Sequence, residues 1–221
     1  MSFPINTYLS KLKFHFTRES YLILILLFST AFTFAQTINY GIKAGLNLST
    51  LSLTGPGFTN YGKYLPGFNA GGIVNIEFSN FTIQPGLFYS TKGEQITLLF
   101  VDANQQNPQK ATLTYRLNFI ELPINFLYKI VKLQDGNLHI GGGPYLGYGI
   151  SANSSINGTN TSLSYSKYYR NPDYGINFIV GAEFINKFIV DAGYGLGFAN
   201  LGGGSTPQNR VFSFSVGYLF R

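Results

Sequence analysis

The sequence predicts an all-β protein, an eight-stranded antiparallel up-and-down transmembrane β-barrel preceded by a cleaved signal peptide. Three observations predict this fold: a short apolar run near the amino terminus, long segments in which apolar and small or polar residues alternate, and connections that alternate between short and long. The composition agrees, because only 11% of the 221 residues are charged, whereas soluble domains carry roughly 25%.

Cysteine usage and net charge exclude several classes of protein. The chain has no cysteine, so it offers no disulfide framework, no thiolate metal site and no lipid anchor on cysteine. Its formal net charge of +6 is mild, and the basic residues are scattered. We therefore expect no nucleic-acid partner.

Residues 1–35 are predicted to be the signal peptide. Three basic residues in 1–20 precede an uncharged, mostly apolar run at 21–34, which is shorter than the roughly 20 residues that span a bilayer as a helix. Ala35 is a small residue of the kind that signal peptidase accepts before its cleavage point. Residues 36–221 would then form the barrel domain, and an uncleaved anchor helix is the alternative.

Strand-like alternation begins directly after this leader. From Ile38 to Leu48 every even position is apolar and every odd position is small or polar, and the pattern returns at 174–184, 188–198 and 211–220. Such segments are long enough to match the roughly 9–11 residues that cross a bilayer as a tilted strand. The predicted strands are 38–48, 66–78, 81–100, 111–130, 137–151, 172–185, 187–199 and 210–220.

The connections between these segments predict the orientation of the barrel. Those after odd-numbered strands are long and rich in Ser, Thr, Asn and Gly, and those after even-numbered strands are short. Outer-membrane barrels combine long external loops with short periplasmic turns. An open sheet edge is costly in hydrocarbon, so we expect the last strand to pair with the first.

Charged residues on the small and polar face are predicted to lie in the barrel lumen, since a charge facing lipid costs up to a few kcal/mol. Buried charges need partners, so we expect Lys43 to pair with one or more carboxylates and plug the lumen. A structural salt-bridge network and a path for protons or solutes are both open. The predicted lumen network is Lys43, Glu77, Glu121, Glu183 and Asp191.

Five basic residues are predicted to lie in the external loops. They would meet the phosphates of lipopolysaccharide, or only keep the loops soluble. Outer-membrane lipid and lipopolysaccharide are the expected partners. The residues are Lys63, Lys110, Lys167, Arg170 and Arg210.

No motif in the chain predicts catalysis or a cofactor. His139 is the single histidine after the leader, and we expect it to be solvated or packed in the lumen. The glycine runs at 141–143 and 202–204 lack the spacing of a phosphate-binding loop, and no metal-binding motif is present. We therefore expect a protein that is not an enzyme.

Five short motifs together indicate a family: GIKAGLNLS at 41–49, FIELPINFLYK at 119–129, GGGPYLGYGI at 141–150, DAGYGLG at 191–197 and the final FSFSVGYLFR. With these motifs the chain resembles an outer-membrane β-barrel family common in Bacteroidetes, labelled porin-like or PorT-like. This resemblance implies an integral outer-membrane protein inserted by the barrel-assembly machinery. Insertion signals in such barrels commonly end in an aromatic residue, whereas here Arg221 follows Phe220.

Four functional hypotheses follow. The first is a non-enzymatic structural or interaction barrel that displays long external loops. The second is a narrow channel for ions or small solutes, and the third is a PorT-like component associated with secretion. The fourth is a soluble, lipocalin-like periplasmic barrel, which would require the apolar residues of the alternation to face inward.

Overall fold

In the computed structural model of the protein, the described residues 37–54, 62–101, 108–202 and 206–220 form nine β-strands and one short helix. The predicted signal peptide lies outside the described residues. The elements are β1 (Thr37–Thr54), β2 (Lys63–Glu77), β3 (Phe81–Val101), β4 (Pro108–Leu133), β5 (Gly136–Ile156), β6 (Thr159–Leu163), α1 (Tyr165–Tyr168), β7 (Asp173–Phe184), β8 (Phe188–Gly197) and β9 (Thr206–Phe220).

Eight of these strands close into an antiparallel barrel. The pairing runs from β1 through β2, β3, β4, β5, β7 and β8 to β9, and β9 pairs with β1 from Tyr40 opposite Phe220 to Thr54 opposite Thr206. The short strand β6 lies outside this ring and pairs only with β5. The predicted eight-stranded barrel is therefore confirmed, and its closure leaves neither terminal strand as a free edge.

The alternation in β1 separates an apolar outer face from a polar inner face. Leu46 is 65% exposed on the outside, whereas the next residue, Asn47, is 2% exposed. Ile42 and Lys43 show the same contrast four residues earlier. The lipocalin-like alternative, which required the opposite assignment of faces, is wrong.

Several strands extend well beyond the predicted boundaries. β4 has 26 residues, and the β3–β4 ladder continues to Val101 opposite Pro108. The prediction stopped where the apolar alternation stopped, but ladder hydrogen bonds require only backbone groups and continue through polar sequence. Much of the predicted external loop length is therefore strand.

The predicted loop after the fifth strand contains an additional hairpin. Asn157 and Gly158, with φ of 49° and 90°, form a tight turn between β5 and β6. An Asn-Gly pair is the strongest short-range hairpin signal because both residues adopt positive φ. The signal was present in the sequence, but the prediction did not use it.

The opposite end of the barrel carries the predicted short turns, at 78–80, 134–135 and 185–187. That this end faces the periplasm stays a prediction. Lys187 there has a φ of 71°. No helix among the described residues is long and apolar enough to span a membrane.

Candidate functional site in the barrel lumen

The first cluster of charges in the lumen is centred on Lys43 and is called the Lys43 cluster below. Lys43 of β1 forms an ion pair with Asp191 of β8, and its Nζ lies 3.4 Å from Oε1 of Gln84 on β3. The other carboxylate oxygen of Asp191 lies 2.8 Å from Nε2 of His139 on β5. All four side chains are buried, so this cluster joins four strands across the lumen.

A glycine makes room for the contact between His139 and Asp191. A Cβ atom built on Gly181 would overlap Oδ1 of Asp191 and would lie 2.8 Å from Nε2 of His139. A larger residue at this position would displace one of the two side chains. His139 is thus packed in the lumen rather than solvated.

The second cluster is centred on Lys92 of β3 and is called the Lys92 cluster below. Lys92 forms ion pairs with Glu121 on β4 and with Asp173 on β7, the latter at 3.3 Å. Its Nζ lies 4.4 Å from the ring centroid of Tyr145, a distance typical of a cation–π contact. Asn209 of β9 donates a hydrogen bond of 2.7 Å from Nδ2 to Oδ2 of Asp173.

Neither Lys92 nor Asp173 is among the residues predicted for the lumen network. Lys92 lies eight residues after the inward-facing Gln84 on β3, so an even count along the strand would have placed it on the same face. Asp173 begins β7 and is fully buried, and counting back two positions from Gly175 in the predicted strand 172–185 would have placed it on the inner face as well.

A third pair of charges lies near the short turns. Lys129 Nζ is 2.8 Å from Oε2 of Glu77, and Asn39 donates a hydrogen bond of 2.7 Å to Oε1 of the same residue. Glu183 lines a small cavity of about 10 Å³ together with Lys129 and His139. Within the described part of the chain Glu183 forms no ion pair.

Two apolar clusters also lie in the lumen. The lower apolar cluster consists of Ile73, Ile189 and Leu219, with Phe88 packed against it. The upper apolar cluster lies toward the external end, where Tyr165 of α1 packs edge-on against Phe119 with 5.8 Å between ring centroids. The members of the upper apolar cluster are Leu51, Leu117, Phe119, Ala152, Tyr165, Ala199 and Leu201.

The upper apolar cluster depends on a glycine and on two tyrosines near α1. A Cβ atom on Gly149 would overlap the ring of Tyr165. Tyr169 packs against Tyr165 with 5.4 Å between ring centroids. Burial raises the pKa of both phenols, that of Tyr169 to about 12, so both remain neutral at physiological pH.

The two charged clusters border a common cavity. Its volume is about 100 Å³, and its wall includes Lys43 and Asp191 from one cluster and Lys92 and Glu121 from the other. Asn125 also lines it. No group of three or more histidine, cysteine or acidic side chains in the described ranges is arranged to hold a metal ion.

The five basic residues predicted for external loops lie on different elements. Lys63 begins β2 and Lys110 lies on β4, so both are on strand extensions rather than in loops, because the ladders continue there. Lys167 lies in α1, with its Nζ 5.6 Å from the ring centroid of Tyr168, and the exposed Arg170 follows α1.

Arg210 differs from the other four. It lies on β9, and its guanidinium donates hydrogen bonds of 2.7 and 2.9 Å to the carbonyls of Gly197 and Asn209. These contacts hold it against the barrel wall and make it a poor candidate for a free external cation.

Comparisons with known proteins agree with this architecture. Residues 34–202 match the family model described as outer membrane protein beta-barrel domain. No curated protein gives a significant match to the chain.

Similar solved structures include the attachment invasion locus protein Ail of Yersinia pestis, at 17% identity over 82% of this chain and 98% of that chain, with a TM-score of 0.38. Neisserial surface protein A is 12% identical over 85% and 100%, with a TM-score of 0.48. Outer Membrane Protein W of E. coli is 15% identical over 85% and 100%, with a TM-score of 0.37. Because the family model covers most of the sequence, the chain belongs to the outer membrane protein β-barrel domain family and is integral to the bacterial outer membrane.

Proposed function

We propose that this barrel is a non-enzymatic, non-conducting structural or interaction component of the outer membrane. The observation on which this proposal chiefly rests is that buried ion pairs cross its lumen. Lys43 bonds groups on two other strands of the barrel, and so does Lys92. If either lysine moved out of the lumen, it would leave a buried carboxylate without its partner, which is energetically costly.

The apolar clusters support the same proposal. The lower apolar cluster lies beside the Lys43 cluster, since Ile189 and Lys43 both pair with Gly217. The upper apolar cluster lies beside the Lys92 cluster, since Leu117 pairs with Lys92. An eight-stranded barrel has an interior just wide enough for its own side chains. An ion on this route would have to break two ion-pair clusters and pass two apolar clusters.

A conductance measurement tests this proposal against the narrow-channel alternative. Purified protein is inserted into planar bilayers, and folded insertion is verified on the same sample by the mobility difference between heated and unheated protein in gels. We expect no discrete conductance steps. Steps of reproducible size from folded protein would refute the non-conducting role and favour the channel.

The strand extensions would carry the interaction role. Lys63, Lys110, Lys167 and Arg170 are exposed toward the external end, and as point charges they suit the phosphates of lipopolysaccharide. Their alternative role is to keep this end soluble.

Glutamine substitution of these four residues separates the two roles. If they bind phosphate, the variant shows several-fold weaker binding to lipopolysaccharide vesicles, and the loss depends on salt. The matched control is Lys132→Gln, which removes an exposed lysine at the periplasmic end of β4. Equal binding by the variant and the control would leave solubility as the role of these charges.

We also propose that the chain falls in the Bacteroidetes branch of the family, on the strength of the motifs at 119–129 and 191–197. In that branch a PorT-like role in secretion follows from the resemblance alone. The leader would be removed after Ala35 before the barrel-assembly machinery engages β9. Amino-terminal sequencing of the outer-membrane form tests the cleavage, and a start at Met1 would refute it.

A further inference from the structure

The cavity between the Lys43 cluster and the Lys92 cluster is a chamber within the lumen that is lined by charged, polar and apolar side chains. Besides the four charged residues, its wall carries amides and hydroxyls, among them Asn47, Asn125, Ser90 and Ser213. Its volume of about 100 Å³ is several times the roughly 10–15 Å³ that one water molecule needs. The chamber therefore has the size and the chemistry to hold hydrogen-bonding molecules.

Asn125 indicates that the chamber is occupied. Its side chain is 5% exposed, and its Oδ1 has no hydrogen-bond partner among the described residues. The neighbouring Asn47 is satisfied, since it accepts from Asn69 at 2.7 Å and donates to Ser90 at 3.1 Å. Buried amide oxygens almost always have a partner, so a donor inside the chamber is required.

The charge of the wall determines what this donor is. Each charged group of the wall already has a partner of opposite charge, because Lys43 pairs with Asp191, and Lys92 pairs with Glu121 and with Asp173. An ion in the chamber would have to compete with one of these existing ion pairs. A neutral molecule that both donates and accepts hydrogen bonds fits this lining.

We propose that the chamber is a binding site for a cluster of water molecules, which satisfies Asn125 and joins the two ion-pair clusters into one hydrogen-bonded network. Apolar side chains lie beside both ion-pair clusters, since Leu117 pairs with Lys92, and Ile189 and Lys43 both pair with Gly217. The lumen is thus hydrated at its centre. This inference is independent of the conductance result, because it concerns water that is held rather than water that passes.

Nuclear magnetic resonance of the isotope-labelled protein in detergent micelles tests this proposal. We expect cross-peaks at the water frequency to the side-chain amide protons of Asn125, with the sign of long-lived bound water. Under xenon pressure the methyl groups of Val211, which also lines the chamber, should not shift, because xenon enters dry apolar cavities. Missing water cross-peaks, or a xenon-induced shift at Val211, would overturn the proposal.

A matched pair of variants tests the role of Asn125. Asn125→Leu has a similar volume but lacks the acceptor, so water cross-peaks to the neighbouring Ser213 should fall by at least half. Asn39→Leu makes the same change at a lumen residue that donates a hydrogen bond to Glu77 and does not line the chamber. This control should leave the water cross-peaks to Ser213 unchanged. Equal cross-peaks in both variants would refute the role of Asn125. If Asn125→Leu does not fold, the measurement on the unaltered protein still decides whether the chamber holds water.

Discussion

Replacement of Lys92 by methionine is the sharpest test of how the lumen is stabilised. The side chains of Lys92, Glu121 and Asp173 are 5%, 15% and 0% exposed, so the substitution leaves two largely buried carboxylates without their cation. Removing one partner of a buried ion pair costs about 3–5 kcal/mol. Methionine retains most of the apolar stem packed near Tyr145, so the expected loss is mainly electrostatic.

The assay follows the folded fraction in lipid vesicles against urea concentration. The protein has no tryptophan, so the gel mobility of unheated samples reports folding. A loss of about 4 kcal/mol, at a urea dependence of about 2 kcal/mol per molar, lowers the midpoint by about 2 M. The double variant Lys92→Met/Glu121→Gln should recover part of this loss, because one uncompensated carboxylate is removed.

Lys129→Met is the matched control for this measurement. It breaks the ion pair with Glu77 near the short turns, where the side chains are 12% and 16% exposed. Lys92 and Asp173 are buried more deeply, so we expect a smaller loss for Lys129→Met, about 2 kcal/mol, and a midpoint shift of about 1 M. Equal midpoint shifts for the two lysine variants would refute the argument that the deeper burial of the Lys92 cluster makes it contribute more to the stability of the barrel.

Three further predictions concern the outer wall and the external end. Val180→Lys, on the outer face of β7, should lower the free energy of unfolding in lipid vesicles by about 2–4 kcal/mol. Ile156→Lys, which is equally exposed but lies at the external end of β5, should lower it by only about 0–1 kcal/mol. Equal losses would contradict the assignment of the lipid-facing belt. Gly149→Ala should displace the Tyr165 ring that lies against it and increase nitration of that ring by tetranitromethane, whereas unchanged nitration would argue against this packing. Burial disfavours the phenolate of Tyr169 and raises its pKa to about 12. In a titration followed by absorbance at 295 nm, Tyr169→Phe should therefore remove a phenol that ionises near pH 12. Loss of a phenol that ionises near pH 10 would contradict the burial of Tyr169.

The face of each regular strand could be predicted because it depends on local sequence. In β1 the strict alternation places Lys43 inside and Ile42 outside, and the structure agrees. In β3 the pattern is less regular, since the bulky Phe88 lies partly buried beside the exposed Leu87. Lys92 was therefore missed, although it lies on the same strand as the correctly placed Gln84.

The partners of each charge could not be predicted. Lys43 and Asp191 are 148 positions apart in the chain, and several carboxylates shared the inner face. Which of them meets Lys43 depends on the stagger between neighbouring strands around the closed ring. The contact of His139 with Asp191 depends on the same stagger and on the glycine at 181.

The sequence by itself determined the number of strands in the barrel and the face that each regular strand turns outward, because both follow from the two-residue period of a strand. It also determined which connections are short turns, because these follow from length and turn composition. Only the tertiary structure decided how far the strands extend, which charges meet in the lumen, and where the central chamber lies. The physical reason is that pairing continues wherever backbone groups find partners, and that side chains far apart in the chain meet only after closure sets the stagger of the strands.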